Sequence, residues 1–158
     1  MKADSEQIGL ALGRIPSGCS ILTVDHQGRT SGMLASWVQQ ASFDPPMVTV
    51  CVKRGRPIQE LINGARRFVL NVVGDEPTAM FKHFGKGFAL DEDAFAGIET
   101  RSTDFGPKIT TCIAHLGCRV RERIETGDHD IYSAEIQSAD AVPGAKPYVH
   151  IRKNGLGY

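Results

Sequence analysis

Residues 32 to 57 read GMLASWVQQASFDPPMVTVCVKRGRP, and three changes of character along them decide the fold. Gly32 to Ala41 is the least regular part and carries the only tryptophan, Trp37. Asp44-Pro45-Pro46 then interrupts the chain, because proline fixes φ and has no N–H to give to a ladder. Met47 to Lys53 follows, apolar at nearly every position, which predicts a strand buried on both faces like the central strand of a barrel. Lys53, Arg54 and Arg56 close that strand. Pro57 at the first helical position and the spacing of Ile58, Leu61 and Ile62 then open a short helix that ends at Gly64.

Outward from this stretch the same punctuation recurs. Ser5 to Arg14 has helical spacing through Ile8, Ala11 and Leu12, and Pro16-Ser17-Gly18 stops it. Cys19 to Val24 reads as a strand closed by the turn Asp25 to Gly28, and Arg67 to Val73 as another. A helix begins at Asp75-Glu76-Pro77 and runs to Phe84. Gly85 to Lys108, with the acidic run Asp91 to Asp93, is expected to be an irregular excursion. Two long strands, Cys112 to Ile124 and Ile131 to Ala139, flank Gly127-Asp128-His129, and Tyr148 to Arg152 forms a last short strand. The pattern is mainly β with short helices, all in one domain from residue 1 to 158. It lacks the strand–helix alternation of a doubly wound sheet, and no GxGxxG or Walker loop occurs.

Bulk properties exclude several function classes. Hydrophobic residues make up 41% and charged residues 23%, and the formal net charge is zero, so nothing points to nucleic acid or an anionic membrane. No apolar run approaches the roughly 20 residues that cross a bilayer. Cys19, Cys51, Cys112 and Cys118 show no CxxC and no zinc-ligand spacing. They read as reduced core residues of a cytoplasmic protein, and no metal site is expected.

Two places carry chemistry. At Lys53 to Ile58 a strand ends, three cations gather and a helix begins. Helix N-termini offer unpaired N–H groups and partial positive charge to an anion. The residues alone admit both a phosphate site and a solvated basic loop. From Gly32 to Val50, small Ala35 and Ser36 let the backbone approach a flat ligand, Gln39 and Gln40 add donors, and Trp37 offers a ring for stacking. An ordinary core tryptophan in a bent strand fits the same pattern. His83 and His150 lie in apolar contexts that read as structural, and the acidic run reads as a solvated loop.

Taken together, Gly32 to Val50, Phe68-Val69-Leu70-Asn71-Val72, Gly127-Asp128-His129 and Pro147-Tyr148-Val149-His150 with Tyr158 resemble the flavin-reductase-like FMN-binding split-barrel family. The likeness runs from about Leu12 to Tyr158. Ala11 to Gly18 (ALGRIPSG), Met33 to Phe43 (MLASWVQQASF) and Lys82 to Lys86 (KHFGK) resemble most the C-terminal flavin-reductase-like domain of cyanobacterial flavodiiron proteins. The resemblance implies a six-stranded antiparallel split barrel, paired as a homodimer, with one FMN per subunit. By position, the backbone of Met33, Leu34, Ala35, Ser36, Trp37 and Val38 would line the flavin ring. Gln39 and Gln40 would lie near the ribityl chain or phosphate, and Lys53, Arg56 and Pro57 at the phosphate. His129 would sit near the flavin or nicotinamide face as the one catalytic side chain. Many members of the family carry Thr-Ala-Asn-Ser-Phe where this chain has Leu34 to Val38, so two polar side chains are replaced here.

The function implied is NAD(P)H-dependent flavin oxidoreduction: a hydride passes from a nicotinamide to bound FMN, or to FAD in its place, and the electrons go on to an acceptor, which can be another protein. The rival expectation is a flavin-binding electron carrier without pyridine-nucleotide turnover. A relative that keeps the barrel but holds haem or pyridoxal phosphate is a third.

Overall fold

The computed structural model describes residues 4–157, so Tyr158, part of the resemblance above, lies outside them. Its elements in chain order are α1 (Ser5–Leu12), β1 (Ser17–Gly18), β2 (Ser20–His26), β3 (Arg29–Ala35), β4 (Val38–Phe43), β5 (Pro46–Lys53), α2 (Ile58–Ala65), β6 (Arg67–Val72), α3 (Thr78–Phe84), β7 (Thr100–Thr103), β8 (Gly106–Ile109), β9 (Ala114–Glu125), β10 (His129–Ala141) and β11 (Val149–His150). The mainly antiparallel β architecture matches expectation.

One seven-stranded sheet, in the order β3-β2-β6-β9-β10-β5-β4, carries the fold; β1–β11 and β7–β8 form two-stranded ribbons. The sheet has one strand more than the six expected, because Gly32 to Ala41 is not irregular. It holds the end of β3 and the start of β4, broken only at Ser36-Trp37. β3 and β4 are the two edges of the sheet, yet these two residues join them. Seven flat strands at about 4.8 Å spacing would hold the edges about 29 Å apart. The three peptide units from Ala35 to Val38 span at most about 11 Å. The sheet must therefore curl until its edges nearly meet, and β3 packs against β5 across the gap. Ser36-Trp37 is the seam of this split barrel.

Tight turns set the registers. His26 pairs with Arg29 around Gln27 and Gly28, whose φ values of 54° and 78° give the twist a two-residue hairpin needs. Phe43 pairs with Pro46 around Asp44-Pro45, and β9 turns into β10 through Thr126 to Asp128. α2 buries Ile58, Leu61 and Ile62, as their spacing predicts. The helix passes Gly64 and ends at Arg66, which takes the left-handed conformation (φ 55°); its guanidinium donates to the carbonyls of Val120 and Arg121.

Burial of the strands differs from expectation in one respect. β5 alternates, with Val48, Val50 and Val52 inside and Met47, Thr49 and Cys51 half-buried, so it is not covered on both faces. The strands buried on both faces are β2 and β6. Leu22 and Val24 join the barrel core with Val50, Phe68, Leu70 and Tyr132, whereas Ile21 joins a second cluster with Val73, Phe84 and Ile109. That second cluster is covered by α3 and the segment after it. The segment is partly regular, since β7 and β8 pair as a hairpin within it, while Asp91 to Asp93 are exposed as expected.

Candidate functional site

Against the seam lies a cavity of about 750 Å³, lined by Met33, Leu34 and Ser36 of the seam region, Lys53 and Arg56 of the β5–α2 loop, Cys19, Phe81, Gly85, and the C-terminal segment from His150 to Gly157. Four cations face it: Lys53, Arg56, Arg152 and Lys153. Among the described residues, no carboxylate lines it. Burial raises the Cys19 thiol to about 11, only partly opposed by the positive charge of Arg152, so this cysteine is an inert wall.

The β5–α2 loop separates its arginines. Arg56 leans across the cavity to the loop after α3, where Gly87 (φ 75°) gives it room; a Cβ there would come within 2.6 Å of the guanidinium. Pro57 precedes the first turn of α2, and no side chain caps that turn. Arg54 behaves differently from the expectation that it joins the anion site. Its Nε donates to Asp130 Oδ1 at 2.8 Å, and its terminal nitrogen donates to the Thr126 carbonyl. Asp130 is fully buried and also accepts from Gln59 Nε2 (2.9 Å) and from Arg123 Nε and its terminal nitrogen (3.0 and 2.7 Å). Burial pushes this carboxyl upward, but the hydrogen bonds from Arg54, Arg123 and Gln59 win and hold it below the ordinary carboxylate value. Gln59 in turn accepts from the N–H of Gly55. Arg54 thus fixes the loop, whereas Arg56 and Lys53 line the cavity.

A second cavity of about 480 Å³ adjoins the first and shares Ser36, Arg152 and Leu156 with it. Trp37, Val38 and Gln39 line it, with Thr49, Cys51 and the segment Leu12 to Gly18. The expected residues therefore divide. Met33, Leu34, Ser36, Lys53 and Arg56 meet at the first cavity, and Ser36 to Gln39 at the second. Ala35 is buried in the barrel core, Gln40 is exposed on the edge strand β4, and Pro57 sits at the helix start. His129 is buried beneath Trp37, ring centroids 4.5 Å apart, with Nδ1 2.8 Å from Asp128 Oδ1; it lines neither cavity.

The C-terminal segment is the part of the site that the sequence reading did not single out. Arg152 donates to Ser36 Oγ at 2.5 Å, and its guanidinium stands 5.6 Å from the Trp37 ring centre. His150, expected to be structural, lines the first cavity with a buried Nδ1 that has no hydrogen-bond partner; burial, and then the Arg152 charge, lower its pKa. His83 is structural as expected, its Nε2 on the Ala94 carbonyl and its ring against Phe84 and Phe88. Close backbone approach pins the segment: Gly155 N–H donates to the Gly9 carbonyl at 2.7 Å, and a Cβ on Gly9 or Gly155 would collide with Asn154 or Leu12. No local signal marks Arg152. It reaches the seam only because β11 pairs with β1, Ser17 opposite His150.

Comparison with known proteins shows the family and the fold. The family model described as "Flavin reductase like domain" matches residues 12–155. The chain is 38% identical over 161 residues to Diflavin flavoprotein A 1 of a Synechocystis strain; the match takes in 100% of the chain and 28% of that longer protein. Among solved structures, it superposes on the Streptomyces globisporus NADH:FAD oxidoreductase SgcE6 with a TM-score of 0.84 at 23% identity, covering 91% of this chain and 86% of the other. With nitrilotriacetate monooxygenase component B from Mycobacterium thermoresistibile the TM-score is 0.80 at 28% identity, covering 91% and 80%.

Proposed function

The chain belongs to the flavin reductase like domain family, and on that premise we propose that it is an NAD(P)H-dependent flavin oxidoreductase that holds FMN in the cavity at the seam and passes its electrons to an acceptor. The observation that carries the reading is the lining of that cavity: apolar walls from Met33, Leu34, Phe81, Ile151 and Leu156, together with four cations and no acid among the described residues. Such a lining fits a ligand that is flat and apolar in one part and anionic in another. Lys53, Arg56 and the start of α2 at Pro57 hold the phosphate, by charge-assisted hydrogen bonds and the helix terminus. The backbone from Met33 to Val38 runs along the ring, and Gln39 lines the adjoining cavity. His129, locked under Trp37 by Asp128, sets the tilt of the indole at the ring's edge. A bound flavin supplies the hydride-accepting chemistry itself.

FMN is preferred to FAD because the phosphate site is compact. SgcE6 is named for FAD, and one structure of it holds NAD and FAD fragments, so the two flavins should be compared directly by fluorescence quenching. Equal or tighter FAD binding overturns the preference. A homodimer is supported by exposed Ile8 and Leu12 of α1, Ile15 just after it, and Val149, Ile151 and Leu156 of the C-terminal segment. Light scattering giving a monomer mass with flavin bound refutes it. Four free thiols are consistent with the reducing cytoplasm. No helix among the described residues is long and apolar enough to cross a membrane.

The match to one part of a longer diflavin protein favours a second reading, a flavin-holding electron carrier. One experiment separates the two. The visible spectrum of the purified, FMN-loaded protein is followed anaerobically as NADH or NADPH is added. Bleaching of the flavin bands supports the reductase. Bands that persist with both nucleotides but bleach with dithionite support the carrier, and failure to retain any flavin overturns both.

A further inference from the structure

We propose that Arg152 tunes the bound flavin, its positive charge favouring the reduced form over the oxidised one. The inference rests on the flavin reading of the seam cavity and goes beyond it, because Arg152 belongs to none of the residue sets that the sequence reading assigned to a ligand.

Three observations carry it. The guanidinium is fixed at the seam, with Ser36 Oγ at 2.5 Å and the Trp37 ring centre at 5.6 Å, within the stretch assigned to the ring rather than in the phosphate loop. Its position is imposed from outside the cavity, since the close approach of Gly9 and Gly155 and the β1–β11 pairing hold the segment that bears it. Finally, no carboxylate among the described lining residues cancels its field. That field reaches other groups of the same cavity, being felt by both Cys19 and His150.

The charge matters through the stoichiometry of the step. When a reduced nicotinamide gives up a hydride, its C–H bond breaks and an N–H bond forms on the acceptor ring. Two electrons and one proton move together, the nicotinamide leaves as its oxidised cation, and the flavin side gains one negative charge. A cation beside the ring favours that added charge, whereas Lys53 and Arg56 are engaged by a phosphate whose charge is the same in both states. Arg152 therefore acts on the equilibrium between the two states, and Lys53 and Arg56 act on affinity for both.

The test uses the FMN-loaded full chain and measures two quantities: the affinity for oxidised FMN, by fluorescence quenching, and the midpoint potential, by equilibration with a dye of known potential. Arg152→Gln and Arg152→Met, the second keeping apolar contact with Trp37, should each weaken reduced FMN about tenfold more than oxidised FMN. For a two-electron couple this is a fall of about 30 mV. Arg152→Lys should restore most of the potential. Equal weakening of both forms, including complete loss of binding, would overturn the proposal and leave Arg152 as a pin for the C-terminal segment. An unchanged potential in variants that bind FMN normally would do the same. If the unsubstituted protein itself binds no flavin, the flavin reading fails first, and this is distinguishable because no variant is needed to see it.

Discussion

Arg54 and Arg56 stand two residues apart on one loop and do opposite work. Arg54 turns inward to a buried carboxylate already served by Arg123 and Gln59, so its charge is spent within the protein. Arg56 turns to a cavity whose described lining holds three other cations and no acid. A cation facing its own carboxylate is a structural part; cations gathered around a cavity make a place for something else. Composition at Lys53 to Arg56 does not separate the two, and the difference lies entirely in what each side chain meets.

The largest effect expected is on the closed side of this pair. Asp130→Ala leaves Arg54, Arg123 and the buried Gln59 without their shared carboxylate and should cost about 3 kcal/mol of stability, measured by urea unfolding. A loss below about 1 kcal/mol would show that the network is not holding the loop. The same carboxylate sets a pH dependence. Because its folded pKa lies below the ordinary value of 3.8, its contribution is complete above that value and is lost as the pH falls toward the lower folded-state value. Unfolding midpoints followed from pH 6 down to pH 3 should show this acid loss, and Asp130→Asn should flatten it.

Next comes the open side. Arg56→Ala removes a charge-assisted contact of roughly 1.5–3 kcal/mol, or about ten- to a hundredfold in FMN affinity, while riboflavin, lacking the phosphate, loses far less. Arg54→Ala should do the reverse, lowering stability and changing the FMN-to-riboflavin ratio little. If the two variants behave alike, the division between the arginines is wrong. A smaller effect is expected at Gly87. There alanine meets both a φ of 75° and the Arg56 guanidinium, and should weaken FMN severalfold through displacement of that side chain, at a cost of about 1 kcal/mol. The smallest belongs to Glu60, whose exposed pair with Arg29 should change stability by less than about 1 kcal/mol on substitution by Gln. It calibrates the rest.

The same pair shows how far the amino-acid order alone can be read. Strands and α2 were legible because their burial follows local spacing, and the junction at Lys53 to Pro57 was legible because cations and a helix start are neighbours in the chain. The two-strand character of Gly32 to Ala41 was not, since its regularity comes from β2 on one side and β5 on the other. Nor was the fate of Arg54, whose partner is 76 residues away. The apolar run of β5 does not decide burial on both faces, because it shows only that a strand can be covered. The covering comes from α3 and the segment after it, and they lie over β2. Arg152 was hidden for the same reason: it reaches Ser36 across 116 residues of chain.

The seam at Ser36-Trp37 has a consequence for protein engineering. These two residues belong to no strand, so their side chains can be exchanged without disturbing a register, and both face a cavity wall. Together with Arg152, which touches them from the far end of the chain, they form a three-position palette on a scaffold whose pairing is set elsewhere. A combinatorial library at positions 36, 37 and 152 would keep the fold constant while varying ring contact, polarity and charge. Screened by flavin colour and by reduction with each nicotinamide, it would sort retuned proteins from inactive ones in a single pass.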